Sequence, residues 1–391
     1  MKITIVKESL CLGGTERSAA NISLALAQKH DVDLVLYDGS NIQYKYGGIL
    51  YNMNIPTRKS RFYKFIDHYH RVCFFLQYLN KKKPDVVFLF VSFRHPIAKL
   101  RMRKTIKIIS ARDFSVLSTN IQKIKERLNN SDGLICNSLY MKEYYVTKYP
   151  EDYSKVFSVW NIIDTFEIRK QAEKPIDNEQ FRIFREKYEY LIVSVGRFCA
   201  EKAFEYLITA FKKCTNERKS IGLVLVGDGE YKNKYLSLIQ EYDISENVFF
   251  TGFQQNPYQY MHRCDLFVLS STSEGFPNVL AEAMALSLPV ISVNCFSGPA
   301  EILLHKHNYD LVKDSYINAD YGLLVPHYSA VGIDQAINEM AKAIIYLLEN
   351  SEVRKKYAQL AYERSKKFSA EESTMNLEMV FDKLLKMRRT E

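Results

Sequence analysis

The sequence predicts an α/β protein made of two similar parallel-sheet halves, and three observations carry that prediction. Short apolar runs alternate with segments of helical periodicity, the pattern that buries a parallel sheet on both faces. The alternation breaks once, in a polar, charged segment over residues 167–189, and then restarts. A chain of 391 residues is too long for one ordinary core and suits two. We therefore expect an N-terminal domain over residues 1–165, a linker over 166–189 and a C-terminal domain over 190–370.

In the first half, strands are expected at residues 3–6, 31–36, 85–92, 107–110, 133–138 and 156–160. Asp31 and Asp33 open the second of these, where alternation places them toward solvent rather than around a metal. In the second half the strands are 191–195, 223–226, 247–250, 265–269, 289–293 and 321–325, followed by a helical tail over 333–386. Ligands of such sheets bind at the carboxyl ends of the strands, so a cleft shared by the two halves is the expected site.

Composition narrows the class. Apolar and charged fractions of 47% and 25% are those of a soluble globular protein. No apolar run approaches the roughly 20 residues that span a bilayer, and residues 1–6 do not read as a signal peptide. These features point to a cytoplasmic protein. The seven cysteines are scattered without a Cys-x-x-Cys spacing, which favours reduced, buried thiols over disulfides or metal ligands. Neither a metal nor a cofactor is expected.

Charge is divided unevenly. Residues 1–150 hold 25 Lys+Arg against 11 Asp+Glu, and the remainder 29 against 34, an asymmetry from which a polyanion facing the first half is expected. The stretch 58–83 combines Arg58, Lys59, Arg61, Lys64, Arg71 and Lys81–Lys83 with apolar residues at helical spacing, among them Phe62, Phe65, Tyr69, Cys73, Leu76 and Leu79. It reads either as a helix packed on its sheet with a solvated rim, or as one whose charged rim meets an anionic membrane. In both readings the apolar stripe packs on the core. No nucleic-acid-binding motif accompanies the basic residues.

Several strand ends carry chemistry. Glu274-Gly275-Phe276-Pro277-Asn278-Val279 follows an apolar strand and opens a helix containing Glu282. Pro277 suits a first helical turn, and the amides of that turn attract a phosphate or sugar oxygen. Gly13-Gly14 likewise opens a helix. Gly196-Arg197 with Lys202 suits a diphosphate, since Arg197 can bond two oxygens at once and Lys202 adds a point charge. Gly227-Asp228-Gly229 and Thr251-Gly252-Phe253 end the two neighbouring strands.

Together these motifs resemble the retaining, nucleotide-sugar-dependent glycosyltransferases of the two-Rossmann-domain (GT-B) type, family 4. Gly13-Gly14-Thr15-Glu16-Arg17 is similar to the family's first glycine loop, and Val195-Gly196-Arg197 with Glu201-Lys202 to its phosphate motif. Val226-Gly227-Asp228-Gly229 is similar to its glycine turn, Asn161-Ile162-Ile163-Asp164 to its domain crossing and Glu274-x7-Glu282 to its paired-acid signature. The resemblance implies a last helix, near 371–387, that packs back on the N-terminal domain. It implies Glu282 on the ribose hydroxyls, Arg197 and Lys202 on the departing diphosphate, and Glu274 beside the donor sugar. Gly13, Gly14, Gly196, Gly227, Phe253, Gly275, Phe276, Asn278 and Val279 would complete the donor site.

Where many members carry a histidine that touches the donor sugar, this chain reads Arg112; His95 is the other candidate for that contact. Ser297-Gly298-Pro299-Ala300-Glu301 resembles the branch that adds hexoses or N-acetylhexosamines to polyprenyl-diphosphate-linked glycans. The expectation is transfer from a nucleotide sugar, UDP foremost, to a lipid-linked glycan by an enzyme held peripherally at the inner membrane face. A UDP-sugar 2-epimerase of the same fold and a non-catalytic partner subunit are the alternatives.

Overall fold

The computed structural model describes residues 1–11, 13–55, 58, 61–91, 96–112, 121–304 and 312–390, excepting the side chains of 61–62, 121–124 and 389–390. The chain divides into two compact units. One is Met1–Ile162 with Ala370–Glu391, the other Ile163–Ser369.

The first unit is built on seven parallel strands in the order β3-β2-β1-β4-β5-β6-β7. These are β1 Lys2–Lys7, β2 Asp31–Leu36, β3 Ile49–Asn52, β4 Val86–Leu89, β5 Ile106–Ala111, β6 Gly133–Cys136 and β7 Val156–Ser158. Central strands are buried on both faces, so they read as nearly continuous apolar runs. The C-terminal helix Ala370–Thr390 belongs to this unit. It sets Phe381 edge-on to Phe88 of β4 and joins Glu378 to His30 at 2.8 Å.

The second unit repeats the plan in the order β10-β9-β8-β11-β12-β14-β13, with only β13 antiparallel. Its strands are β8 Tyr190–Val195, β9 Ile221–Val226, β10 Val248–Gly252, β11 Leu266–Leu269, β12 Val290–Val293, β13 Ile317–Asn318 and β14 Leu323–Val325. Strand order reverses between β1 and β4 in one sheet and between β8 and β11 in the other. Ligands of doubly wound sheets lie outside the carboxyl ends of the strands at such a reversal. Two Rossmann-like parallel sheets make this a GT-B fold.

Four expectations need correction. The segment 166–189 is not an extended linker: it forms the helices Thr165–Ala172 and Glu179–Lys187 of the second unit. Asp164 caps the first by accepting from Glu167 N, and Asn178 caps the second by accepting from Phe181 N. Their polar composition hid them, because each turns few residues inward; Phe181 and Phe184 pack against Phe249.

Asp33 does not face solvent. It is buried and accepts a hydrogen bond from the Tyr78 hydroxyl at 2.7 Å, because the helix Arg61–Lys82 covers that face of the sheet. Nor does the whole apolar stripe of that helix reach the core. Phe75 and Tyr78 are buried, whereas Phe65, Tyr69 and Leu76 are exposed, Phe65 by 75%. Arg71, expected on the charged rim, is instead buried over the Tyr37 ring and donates to the Ile55 carbonyl.

Candidate active site

In the second unit, the loops after β8 and β11 meet at the strand-order reversal. The Lys202 ammonium lies 2.6 Å from Glu274 Oε1, and the Ser271 hydroxyl donates to the same oxygen at 2.7 Å. The loops are also joined through their backbones. Thr272 N donates to the Glu201 carbonyl at 2.9 Å, and the Ser270 hydroxyl to the Lys202 carbonyl at 2.8 Å. Burial pulls the Lys202 pKa down, but the Glu274 carboxylate outweighs it and holds the ammonium above the ordinary lysine value. Arg197, in the same loop after β8, is exposed, and the neighbouring Cys199 and the carboxylates of Glu201 and Glu230 hold its guanidinium above the ordinary arginine value. The arrangement offers an exposed guanidinium, held ionised by Cys199, Glu201 and Glu230, and a cation tethered to an acid.

Beyond Glu274, Phe276 is buried edge-on against Phe368 at 5.3 Å, which anchors the turn. The helix Asn278–Ala285 begins without a side-chain cap, and Leu280 N donates to the Pro277 carbonyl at 3.0 Å. Gly275, Asn278 and Val279 are partly exposed there. Glu282 lies one turn further along and is only 2% exposed.

Glycines separate into two roles. A Cβ on Gly227, whose φ is +149°, would lie 1.9 Å from the Gly196 carbonyl oxygen, so this glycine is required for the loops to pack. A Cβ on Gly196 would find only ordinary contacts, at 3.4 Å from Phe204 and 3.5 Å from Lys202. Packing within the protein therefore does not explain Gly196. Phe253, at the end of β10, is 54% exposed.

Two loops outside the expected site complete this edge. Ser297, after β12, donates to the Gly275 carbonyl at 2.7 Å, and a Cβ on Gly298 would lie 2.4 Å from Pro277. After β14, His327 Nε2 lies 3.0 Å from the Thr272 carbonyl, and the Tyr328 hydroxyl donates to the Ser270 carbonyl at 2.8 Å. His327 and Tyr328 were not singled out in the sequence. A histidine just past an apolar strand carries no local signal, and its partner lies 55 residues away.

In the first unit, Gly13 and Gly14 open the helix Gly14–Leu26, with Gly13 N donating to the Tyr44 hydroxyl at 3.2 Å. Lys7, at the end of β1, bridges Glu8 and Glu16 at 3.0 Å each. Arg112 is committed within the unit. Its guanidinium donates to the side chains of Ser110, Ser18 and Asn161 and lies over the Phe90 ring at 4.6 Å. These bonds give it a structural duty, tying β5 to the helix Gly14–Leu26 and to the domain-crossing segment. His95 lies outside the described residues.

Known proteins agree with this architecture. Residues 12–166 match the family model for Glycosyltransferase Family 4, and residues 175–364 that for Glycosyl transferases group 1. The chain is similar to an uncharacterized glycosyltransferase of Methanocaldococcus jannaschii, 32% identical over 227 residues that cover 56% of this chain and 55% of that protein. It thus spans about half the length of that relative. Another relative is the N-acetylgalactosamine-N,N'-diacetylbacillosaminyl-diphospho-undecaprenol 4-alpha-N-acetylgalactosaminyltransferase of Campylobacter jejuni, 26% identical over 381 residues, 94% of this chain and 95% of that one. Among solved structures, Anabaena HepE in complex with UDP and glucose superposes with a TM-score of 0.72 over 98% of this chain and 99% of that one, at 17% identity.

Proposed function

From the premise that this chain belongs to the glycosyltransferases, family 4 in its first unit and group 1 in its second, we propose that it moves a sugar from a nucleoside diphosphate donor to a lipid-linked glycan with retention of configuration. The observation that carries this reading is the Lys202–Glu274 pair, which joins the loops after β8 and β11 at the strand-order reversal of the second sheet, with Arg197 exposed in the first of those loops. Donor identity is read as UDP with a hexose or N-acetylhexosamine. The UDP and glucose named with HepE, and the acetylhexosaminyl transfer named for the Campylobacter relative, support that choice.

In the proposed reaction, Glu282 holds the ribose hydroxyls. Arg197 and Lys202 stabilise the charge that builds on the diphosphate as the glycosidic bond breaks, without a metal. Lys202 is shared between Glu274 and the leaving group, so both act as one unit. Glu274 faces the sugar as it becomes oxocarbenium-like. The departing phosphate then accepts the acceptor hydroxyl proton on the face it leaves, which preserves the anomeric configuration.

Lipid-linked acceptors call for attachment to a membrane. No helix among the described residues is long and apolar enough to cross one. We assign attachment to the helix Arg61–Lys82, at the cytoplasmic face, because it exposes Phe65, Tyr69 and Leu76 among basic residues of a half carrying net +14. The reaction is tested by incubating the protein with UDP-sugars, with and without an undecaprenyl-diphosphate-linked glycan. UDP release that depends on the acceptor, with an α-linked product by NMR, supports the reading. Conversion of a UDP-sugar to its 2-epimer without acceptor would replace it with the epimerase.

A further inference from the structure

We infer that His327 is a positioning residue for Glu274, acting through the Thr272 carbonyl. This rests on the reading that Glu274 faces the donor sugar. The tautomer follows from the bonds. Ser329 N–H, at 3.3 Å, can only donate, so His327 Nδ1 accepts; the Thr272 carbonyl, at 3.0 Å, can only accept, so Nε2 carries the proton. The neutral ring is thus a one-way link from the end of β14 to the turn after β11. Burial disfavours its charged form.

Thr272 is held from both sides. Its N–H reaches the Glu201 carbonyl next to Lys202, and its carbonyl receives His327. Ser271, one residue earlier, and Lys202 both bond Glu274 Oε1, so a shift of Thr272 moves a donor of the acid as well as the backbone that carries it. Phe296 lies against the His327 ring with centroids 5.2 Å apart, and its backbone pairs with Ser273. The ring therefore sits between two supports of the same turn. The bonds of the His327 ring go to Ser329 and Thr272, which makes it a positioning group for Glu274 rather than a catalytic one. Ser270 is held separately by Tyr328, and Glu282 lies on a buried helix. Loss of His327 should accordingly disturb the sugar-facing acid and spare nucleotide binding.

The test compares His327→Leu, which removes the donor, with His327→Gln, whose amide N–H can still reach the carbonyl. The full chain is assayed for UDP release from UDP-glucose and UDP-N-acetylgalactosamine in the presence of an undecaprenyl-diphosphate-linked glycan, and hydrogen exchange is followed in a peptide covering residues 270–276. For His327→Leu we expect kcat to fall about tenfold or more, equivalent to about 1.4 kcal/mol, with donor KM within about twofold. Exchange in the 270–276 peptide should rise, the melting temperature should hold, and His327→Gln should recover most of both losses. Wild-type exchange and kcat in His327→Leu, or no recovery in His327→Gln, overturn the inference. Glu274→Gln distinguishes the two levels. If it abolishes turnover while His327→Leu keeps the wild-type kcat, only the positioning role falls; if it retains turnover, the role of Glu274 falls with it.

Discussion

Lys202 and Glu274 come from the loops after two different strands, 72 residues apart in sequence, yet their side chains meet at 2.6 Å at the carboxyl edge of one sheet. The side chains are only 24% and 11% exposed, so each charge depends on the other for its solvation. Removing either alone leaves a poorly solvated ion. Lys202→Met should lose about 2 kcal/mol of stability, the order of a charge-assisted hydrogen bond, and Lys202→Met with Glu274→Gln should lose less than the sum of the two. Urea denaturation of the cycle measures this, and additive losses would show the pair to be uncoupled.

The same pair sets a pH dependence. Lys202 is raised above its ordinary 10.5 by Glu274, despite the opposing effect of burial. A raised folded pKa gives stability that is complete below the unfolded lysine value and is lost as pH rises through the folded one. The stability gap between the wild type and Lys202→Met should stay constant from about pH 6 to 9 and narrow above about 10.5. Urea melts across that range test it, and a gap that narrows near neutrality would contradict the assigned charges.

Gly196 and Gly227 should separate binding from folding. Gly227→Ala forces a Cβ to 1.9 Å from a carbonyl oxygen at a positive φ, and should cost on the order of 1–3 kcal/mol of stability. Gly196→Ala meets only ordinary contacts and should melt like the wild type while weakening UDP binding about tenfold or more. Calorimetric titration with UDP, alongside thermal melts, distinguishes the two. Equal UDP affinity in Gly196→Ala would remove that glycine from the donor site.

Membrane attachment predicts a salt dependence. The protein should sediment with vesicles containing anionic lipid at low salt and release at high salt. Phe65→Ser with Tyr69→Ser should weaken sedimentation without altering UDP binding, because both side chains are exposed. Indifference to anionic vesicles at both salt concentrations would rule out this surface.

Much of this architecture is legible in the chain because buried parallel strands must be apolar throughout. Strands such as β4, β8 and β9 announce themselves, and the glycine and acid motifs sit where those runs end. Less visible were elements that do not follow that rule. β3 is an edge strand of four residues with a mixed pattern, β13 has two residues, and the capped helices over 165–187 are mostly polar. Glu274 and Lys202 were recognisable as chemistry but not as a pair. Arg112 was recognisable as an unusual residue but not as a tie to Ser18 and Asn161, since neither contact is local. His327 was silent for the same reason: its meaning lies in the Thr272 carbonyl, which any residue could have supplied.

The donor site itself is tested most directly by thermal shift with nucleotide sugars. A UDP-sugar at 100 times its dissociation constant should stabilise the protein by about 2.7 kcal/mol. Glu282→Ala should lose most of that stabilisation and Glu274→Gln should keep it, because the first is assigned to the ribose and the second to the chemical step. No stabilisation by any UDP, GDP or ADP sugar, or an undiminished one in Glu282→Ala, would contradict the assignment of this edge as the donor site.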